Sequence, residues 1–232
     1  METSTSIKPG PRVMAPAAPF ATLRRLATAR RSGSARPALE KCELCSLGLA
    51  HEHRHLLEVA RHKIVCSCDA CALRFENVVD GRFRLIPRDV RTPPEFRLDD
   101  AQWSDLALPI DLAFLVYSTP AKKMMALYPS PAGATESLLS LAAWDELVAA
   151  NPVLARMEPD VEALLVNRVG ERRLYFIAPI DVCFQLVGLM RTHWRGLSGG
   201  EDVWREIEAF FAGLQERAIP LTTPKNEEAP HA

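Results

Sequence analysis

Five of the six cysteines fall within thirty residues and form two closely spaced groups. Cys42 and Cys45 are separated by two residues, and Cys66, Cys68 and Cys71 follow after an interval of twenty residues. A turn that carries a Cys-x2-Cys pair directs both sulfurs to one point, and a second close pair on a hairpin completes a tetrahedral set of thiolates. The spacing therefore predicts a small metal-binding module.

The module offers one cysteine more than a tetrahedral site requires. The symmetric choice of ligands is Cys42, Cys45, Cys68 and Cys71. Cys66 then replaces Cys68 as a ligand, supports the site from outside the ligand set, or belongs to a larger cluster. Five available thiols argue against a catalytic zinc ion, which has three protein ligands and a bound water.

Two kinds of metal centre fit this spacing. A closed zinc site suits a zinc-ribbon-like or treble-clef-like module, and it would supply folding free energy of order 10 kcal/mol to a segment too small to fold alone. An iron–sulfur cluster or a rubredoxin-like iron site is also held by four thiolates, and the fifth cysteine keeps this alternative open. The spacing favours zinc in a structural role.

Two histidines near the first cysteine pair raise the question of hairpin register. Strands are predicted at 53–59 and 63–68. A two-residue turn places His55 opposite Cys66, whereas a three-residue turn places His53 and His55 on the other face of the hairpin. We favour the three-residue turn, in which the histidines act at most as hydrogen-bonding neighbours of the ligands.

The composition is that of a folded protein with one basic segment added. The chain has 232 residues, of which 48% are hydrophobic, enough to build one core. Residues 1–36, rich in proline, alanine, serine and arginine, predict a disordered basic leader. A cysteine-rich module is expected at 37–76, a mixed antiparallel-sheet and helix domain at 77–217, and a flexible tail at 218–232. The expected fold class is therefore α+β.

Apolar patterning divides the larger domain into strands and helices. Strand pairs are predicted at 111–118 with 122–127 and at 161–168 with 172–177. Helices are predicted at 136–149, 179–194 and 201–217. The stretch 91–110 contains three prolines and is predicted to be irregular.

Charge and motif content narrow the range of functions. The net charge is −1 and no apolar run is long enough for a membrane span, so neither nucleic acid nor membrane is the expected partner. The absence of a secretory apolar core predicts a cytoplasmic protein with reduced thiols. A rival prediction is a zinc-ribbon regulator that binds nucleic acid through the basic leader. No catalytic motif is recognisable, so no catalytic residues are assigned and a non-catalytic role is favoured.

Six segments together resemble an uncharacterised bacterial family encoded near uptake nickel–iron hydrogenase genes. They are Cys42–Cys45, His53–Leu56, Cys66–Cys71, Pro131–Ser137, Asp160–Leu165 and Trp194–Gly200. The resemblance implies an accessory protein that acts in maturation, in assembly or as a component of the complex, through contacts with hydrogenase subunits or maturation proteins. It also admits electron transfer, and it implies no catalytic residues.

Overall fold

The cysteine-rich segment folds as a three-stranded antiparallel sheet with one helix. The computed structural model describes residues 40–76, 81–138, 141–196 and 198–221. Strands β1 (Arg54–Glu58), β2 (Lys63–Ser67) and β3 (Phe83–Leu85) are arranged in the order β2-β1-β3, and helix α1 (Asp69–Glu76) follows β2. The two predicted strands at 53–59 and 63–68 are thereby confirmed. The sheet buries its own apolar cluster, formed by Leu56, Val65 and Phe83.

A larger sheet of seven strands forms the centre of the molecule. Its strands are β4 (Arg91–Thr92), β5 (Leu112–Ser118), β6 (Lys123–Ser130), β7 (Gly133–Ser137), β8 (Glu162–Asn167), β9 (Leu174–Pro179) and β10 (Ile219–Pro220). Their order is β10-β4-β9-β8-β5-β6-β7, and every pairing except the parallel contact of β10 with β4 is antiparallel. Both predicted strand pairs, β5 with β6 and β8 with β9, are confirmed.

Helices cover both faces of the large sheet. They are α2 (Asp100–Asp105), α3 (Leu141–Ala150), α4 (Ile180–His193) and α5 (Gly200–Arg217). Buried side chains of α4 and α5 pack on one face, and those of α2 and α3 pack on the other. Residues 112–116 of β5 are therefore all buried, which explains their uninterrupted apolar run. The fold is mixed α+β, with five α-helices in the part of the chain that the structure describes.

Two predictions about this domain are wrong. The segment predicted to begin a helix at 136 instead completes β7, which pairs with β6 from Gly133 to Ser137, and the helix begins at Leu141. The stretch 91–110 is not irregular throughout, because it contains β4 and α2. Asp99 caps α2: it accepts from Gln102 N at 2.8 Å while the Gln102 side chain accepts from Asp99 N at 3.1 Å.

The small sheet is joined to the large domain through shared core. Leu57 on β1 and Ile86 just after β3 belong to the same buried cluster as α4 and α5. Ile86 N also donates to His55 O at 3.1 Å. From Glu40 onward the described residues accordingly form one unit. The cysteine-rich segment and the core around α4 therefore share buried apolar side chains.

The last residues that the structure describes lie at the edge of the large sheet. Ile219 N donates to Val90 O at 2.9 Å, and Leu221 N donates to Thr92 O at 3.0 Å. The first residues of the predicted tail thus belong to the sheet, while 222–232 and the predicted leader at 1–36 lie outside the described residues. Among the described helices, none is both long enough and apolar enough to traverse a lipid bilayer.

Candidate metal centre

A tight reversal of the chain presents the first two cysteines. Cys42 N donates to Leu47 O at 2.8 Å, and Ser46 N donates to Cys42 O at 2.7 Å. Ser46 takes up a left-handed conformation with φ of 64°, which closes the turn. Cys42 is buried and Cys45 is exposed, so the site lies at the protein surface.

The second pair of cysteines is placed by the start of a helix. Cys68 follows the last residue of β2 and immediately precedes α1, while Cys71 lies in the first turn of α1. Ala72 N donates to Cys68 O at 2.9 Å, the hydrogen bond expected of a first helical turn. Residues three apart share one side of a helix, which brings both sulfurs to the same end of α1.

The four sulfurs of the symmetric ligand set converge. The Sγ atoms of Cys42, Cys45, Cys68 and Cys71 all lie within 4.8 Å of one another. Cys45 Sγ and Cys68 Sγ are 3.7 Å apart. Tetrahedral coordination at Zn–S of ~2.3 Å places ligand sulfurs about 3.8 Å apart. The four cysteines can therefore hold a metal ion in a closed thiolate site.

Glu43 attaches the first turn to strand β2. Its backbone N donates to Cys66 O at 2.9 Å, and its carboxylate accepts from Cys66 N at 3.1 Å. Lys63 donates to the same carboxylate and lowers the pKa of Glu43. This double attachment holds the first turn against β2 and so sets the distance between the two cysteine pairs.

The environment makes the four thiols unequal. Burial opposes ionisation of Cys42, but backbone N–H groups of Cys68, Leu44 and Cys45 directed at its sulfur outweigh burial and lower its pKa to about 6. Burial and hydrogen bonds with the neighbouring thiols raise the pKa of Cys71 to about 12. Several thiolates cannot accumulate together without a cation, and a bound metal ion supplies the compensating charge.

The register of the hairpin differs from the one that we favoured. His55 pairs with Cys66 and Glu58 pairs with Lys63, so the prediction of a three-residue turn is wrong. The residues between Glu58 and Lys63 form a single 3-10 turn that ends at His62, whose φ is 49°. This connection produces the register of the alternative, two-residue case.

The change of register gives the fifth cysteine and the two histidines a different position. The ligand atoms of His53, His55 and Cys66 lie within 4.8 Å of one another and form a group separate from the four-cysteine set. His53 and His55 are thus neighbours of Cys66 in the structure. Sequence reasoning also missed Asp181 at the start of α4, whose carboxylate accepts from His55 Nδ1 at 2.6 Å. The only signal for Asp181 was an acidic residue in a first helical turn.

Comparison with known proteins assigns the chain to a family. The model of a family of unknown function, DUF5947, matches residues 41–218. The chain belongs to this family. The matched region begins one residue before Cys42 and ends one residue after α5, so it includes both groups of side chains that could hold a metal ion. No curated protein and no solved structure matches the chain.

Proposed function

We propose that this protein is a metal-binding accessory protein of a nickel–iron hydrogenase system. In this proposal a structural zinc ion is held by Cys42, Cys45, Cys68 and Cys71. The observation that carries the metal-binding part is the convergence of four sulfurs within 4.8 Å. The hydrogenase part rests on the resemblance of six sequence segments to proteins encoded near such enzymes.

The local architecture supports a structural role for the metal. A tight turn, a hairpin and a helix follow one another, with the second ligand pair at the start of the helix, an order similar to that of treble-clef modules. A set of four thiolates leaves no coordination position for water or substrate. The zinc ion in this proposal stabilises the module and does not take part in catalysis.

The module also presents apolar side chains that suit contact with another protein. Leu47, in the first turn, is 58% exposed, and Leu73, on α1, is 64% exposed. In this proposal these two side chains take part in contact with another protein, a role that exposed apolar side chains can fill. In the proposed function the partners are hydrogenase subunits or maturation proteins.

The first test is the metal content of the purified protein. We expect the four-cysteine set to hold about one zinc ion per chain, with no acid-labile sulfide and no visible absorption, because Zn²⁺ has a filled d shell. Elemental analysis, sulfide determination and a visible spectrum after anaerobic purification measure this. Iron bound to these cysteines, with visible colour, would instead support the iron–sulfur or rubredoxin-like alternative.

The second test addresses the cellular role. Deletion of the gene in its host is expected to impair uptake hydrogenase activity, which a hydrogen-oxidation assay measures. The wild-type gene and a His51→Ala variant should restore activity, because His51 is exposed and belongs to neither ligand group. A Cys71→Ser variant should not restore it. Unchanged hydrogenase activity in the deletion strain under several growth conditions would contradict the role.

A further inference from the structure

A second group of metal-ligating atoms lies in the small sheet, outside the four-cysteine set. His53 Nε2 and His55 Nε2 are 3.2 Å apart, and the ligand atoms of His53, His55 and Cys66 are all within 4.8 Å of one another. Two imidazole nitrogens on one tetrahedral zinc ion, at Zn–N of ~2.0–2.1 Å, are separated by about 3.4 Å. The two rings therefore already stand at the spacing that shared coordination requires.

The partners of the other ring nitrogens show which atoms carry lone pairs. His53 Nδ1 lies 3.0 Å from Ala50 O, and His55 Nδ1 lies 2.6 Å from Asp181 Oδ2. A carbonyl oxygen and a carboxylate only accept hydrogen bonds, so both Nδ1 atoms carry the proton. In the neutral rings both Nε2 atoms then direct lone pairs at each other. Two facing lone pairs repel, and either a shared proton or a bound cation removes the repulsion.

The surrounding residues favour a metal ion over a shared proton. A proton would serve the two rings alone, whereas a metal ion also uses the sulfur of Cys66, which faces the same point. The contact of His55 with Asp181 is the arrangement in which a carboxylate orients a metal-binding histidine. Asp181 is itself held in place, because its Oδ1 accepts from Val182 N at 2.8 Å.

The group leaves one side open. Glu40 Oε2 lies 3.5 Å from His53 Nε2, and the Glu40 side chain is 65% exposed. This carboxylate borders the position that a fourth ligand would take. Three protein ligands with an open fourth position are typical of sites in which the metal ion also binds water or a further molecule. The four-cysteine set, by contrast, is closed.

We infer that His53, His55 and Cys66 form a second metal site, which binds one divalent transition metal ion such as Zn²⁺, Co²⁺ or Ni²⁺. Imidazole and thiolate ligands select these ions over Mg²⁺ and Ca²⁺, which require oxygen ligands. The fourth position is filled by water or by Glu40. Because Asp181 belongs to α4, metal binding at this site also ties the small sheet to the helix that packs on the large sheet.

Metal stoichiometry of the full-length protein tests this site. Protein purified anaerobically is incubated with excess Co²⁺ and desalted. Elemental analysis then gives zinc plus cobalt per chain, and the visible spectrum is recorded on the same sample. The wild type is expected to hold about two ions per chain, one for each four-coordinate site. Cobalt in the second site should show d–d bands of tetrahedral intensity and a thiolate charge-transfer band.

Four variants assign the second ion. His53→Gln and Cys66→Ser should each lose one ion and retain the other, whereas the matched control His51→Ala should behave as wild type. Asp181→Asn should weaken Co²⁺ binding by about 10–100-fold while leaving the ligands in place. Because His53→Gln leaves all four clustered cysteines intact, its loss of an ion reports the second site independently of the structural zinc.

Two results would overturn the second site. One is a wild-type protein that holds a single ion, which Cys71→Ser loses and His53→Gln retains. The other is a metal content per chain that is the same in His53→Gln, in Cys66→Ser and in the wild type. Failure of the four-cysteine proposal gives a different result, in which Cys71→Ser holds as many ions as the wild type while His53→Gln loses one.

Discussion

Cys42→Ser is expected to abolish metal binding by the four-cysteine set and to unfold at least residues 40–76. A serine hydroxyl is a poor substitute for a thiolate, and the free energy of binding a structural zinc ion, of order 10 kcal/mol, is also folding free energy. Cys42 is the buried member of the first pair, and the backbone N–H groups of Leu44, Cys45 and Cys68 are directed at its sulfur. Serine at this position therefore disturbs the turn as well as the ligand set.

Unfolding should extend beyond the cysteine-rich segment. Leu57 and Ile86 belong to the main core, so loss of the small sheet exposes part of the apolar surface beneath it. Zinc content per chain, far-UV circular dichroism and limited proteolysis together measure the effect. The matched control is Cys66→Ser, which leaves all four clustered cysteines and should keep their metal ion. Equal loss of this ion and of structure from both variants would contradict the assignment of the four ligands.

Phe114→Ala is expected to lower the free energy of unfolding by about 3–5 kcal/mol. Phe114 lies on β5, is 0% exposed, and its ring meets that of Phe184 on α4 with centroids 5.9 Å apart. Truncation removes apolar contacts and leaves a cavity between the large sheet and α4. Urea denaturation measures the change in the free energy of unfolding. Zinc is kept at saturation, so that metal binding contributes equally to the stability of both proteins.

The control for this substitution lies on the same strand. Tyr117 is 39% exposed, and Tyr117→Ala should cost less than about 1 kcal/mol. Phe114→Ala should leave the zinc content of the four-cysteine set unchanged, because Phe114 belongs to a different apolar cluster from the small sheet's own. Similar losses of stability from the two substitutions would show that α4 does not pack on β5 as described.

Local patterns predicted much of the fold. The apolar run of β5, the two strand pairs and the helices α4 and α5 follow from residues close together in sequence, and each was predicted from them. The helix predicted from residue 136 was wrong at its start because Glu136 and Ser137 pair with β6. That pairing is a contact between strands, which outweighs local helix propensity and leaves no periodic signal within one segment.

The histidine positions show the limit of local reasoning more clearly. A shift of one residue in hairpin register moves every side chain to the opposite face, and two turn lengths were compatible with the sequence between the strands. The structure adopts the register that pairs His55 with Cys66. The contribution of Asp181 could not be predicted, because it lies 126 residues from His55 along the chain.

The cysteine spacing predicted a cluster of thiols that could hold a metal ion, and the apolar patterning predicted the α+β fold. A Cys-x2-Cys turn is a local geometry that sets the distance between its two sulfurs. The second pair was predicted on the hairpin, whereas the structure places it at the start of α1. The surroundings of Cys66, in contrast, depend on contacts between distant segments. Hairpin register brings His53 and His55 to its sulfur, and docking of α4 brings Asp181 to His55. Both depend on packing between segments distant in sequence, where burial of apolar surface selects among arrangements that local patterns leave equivalent.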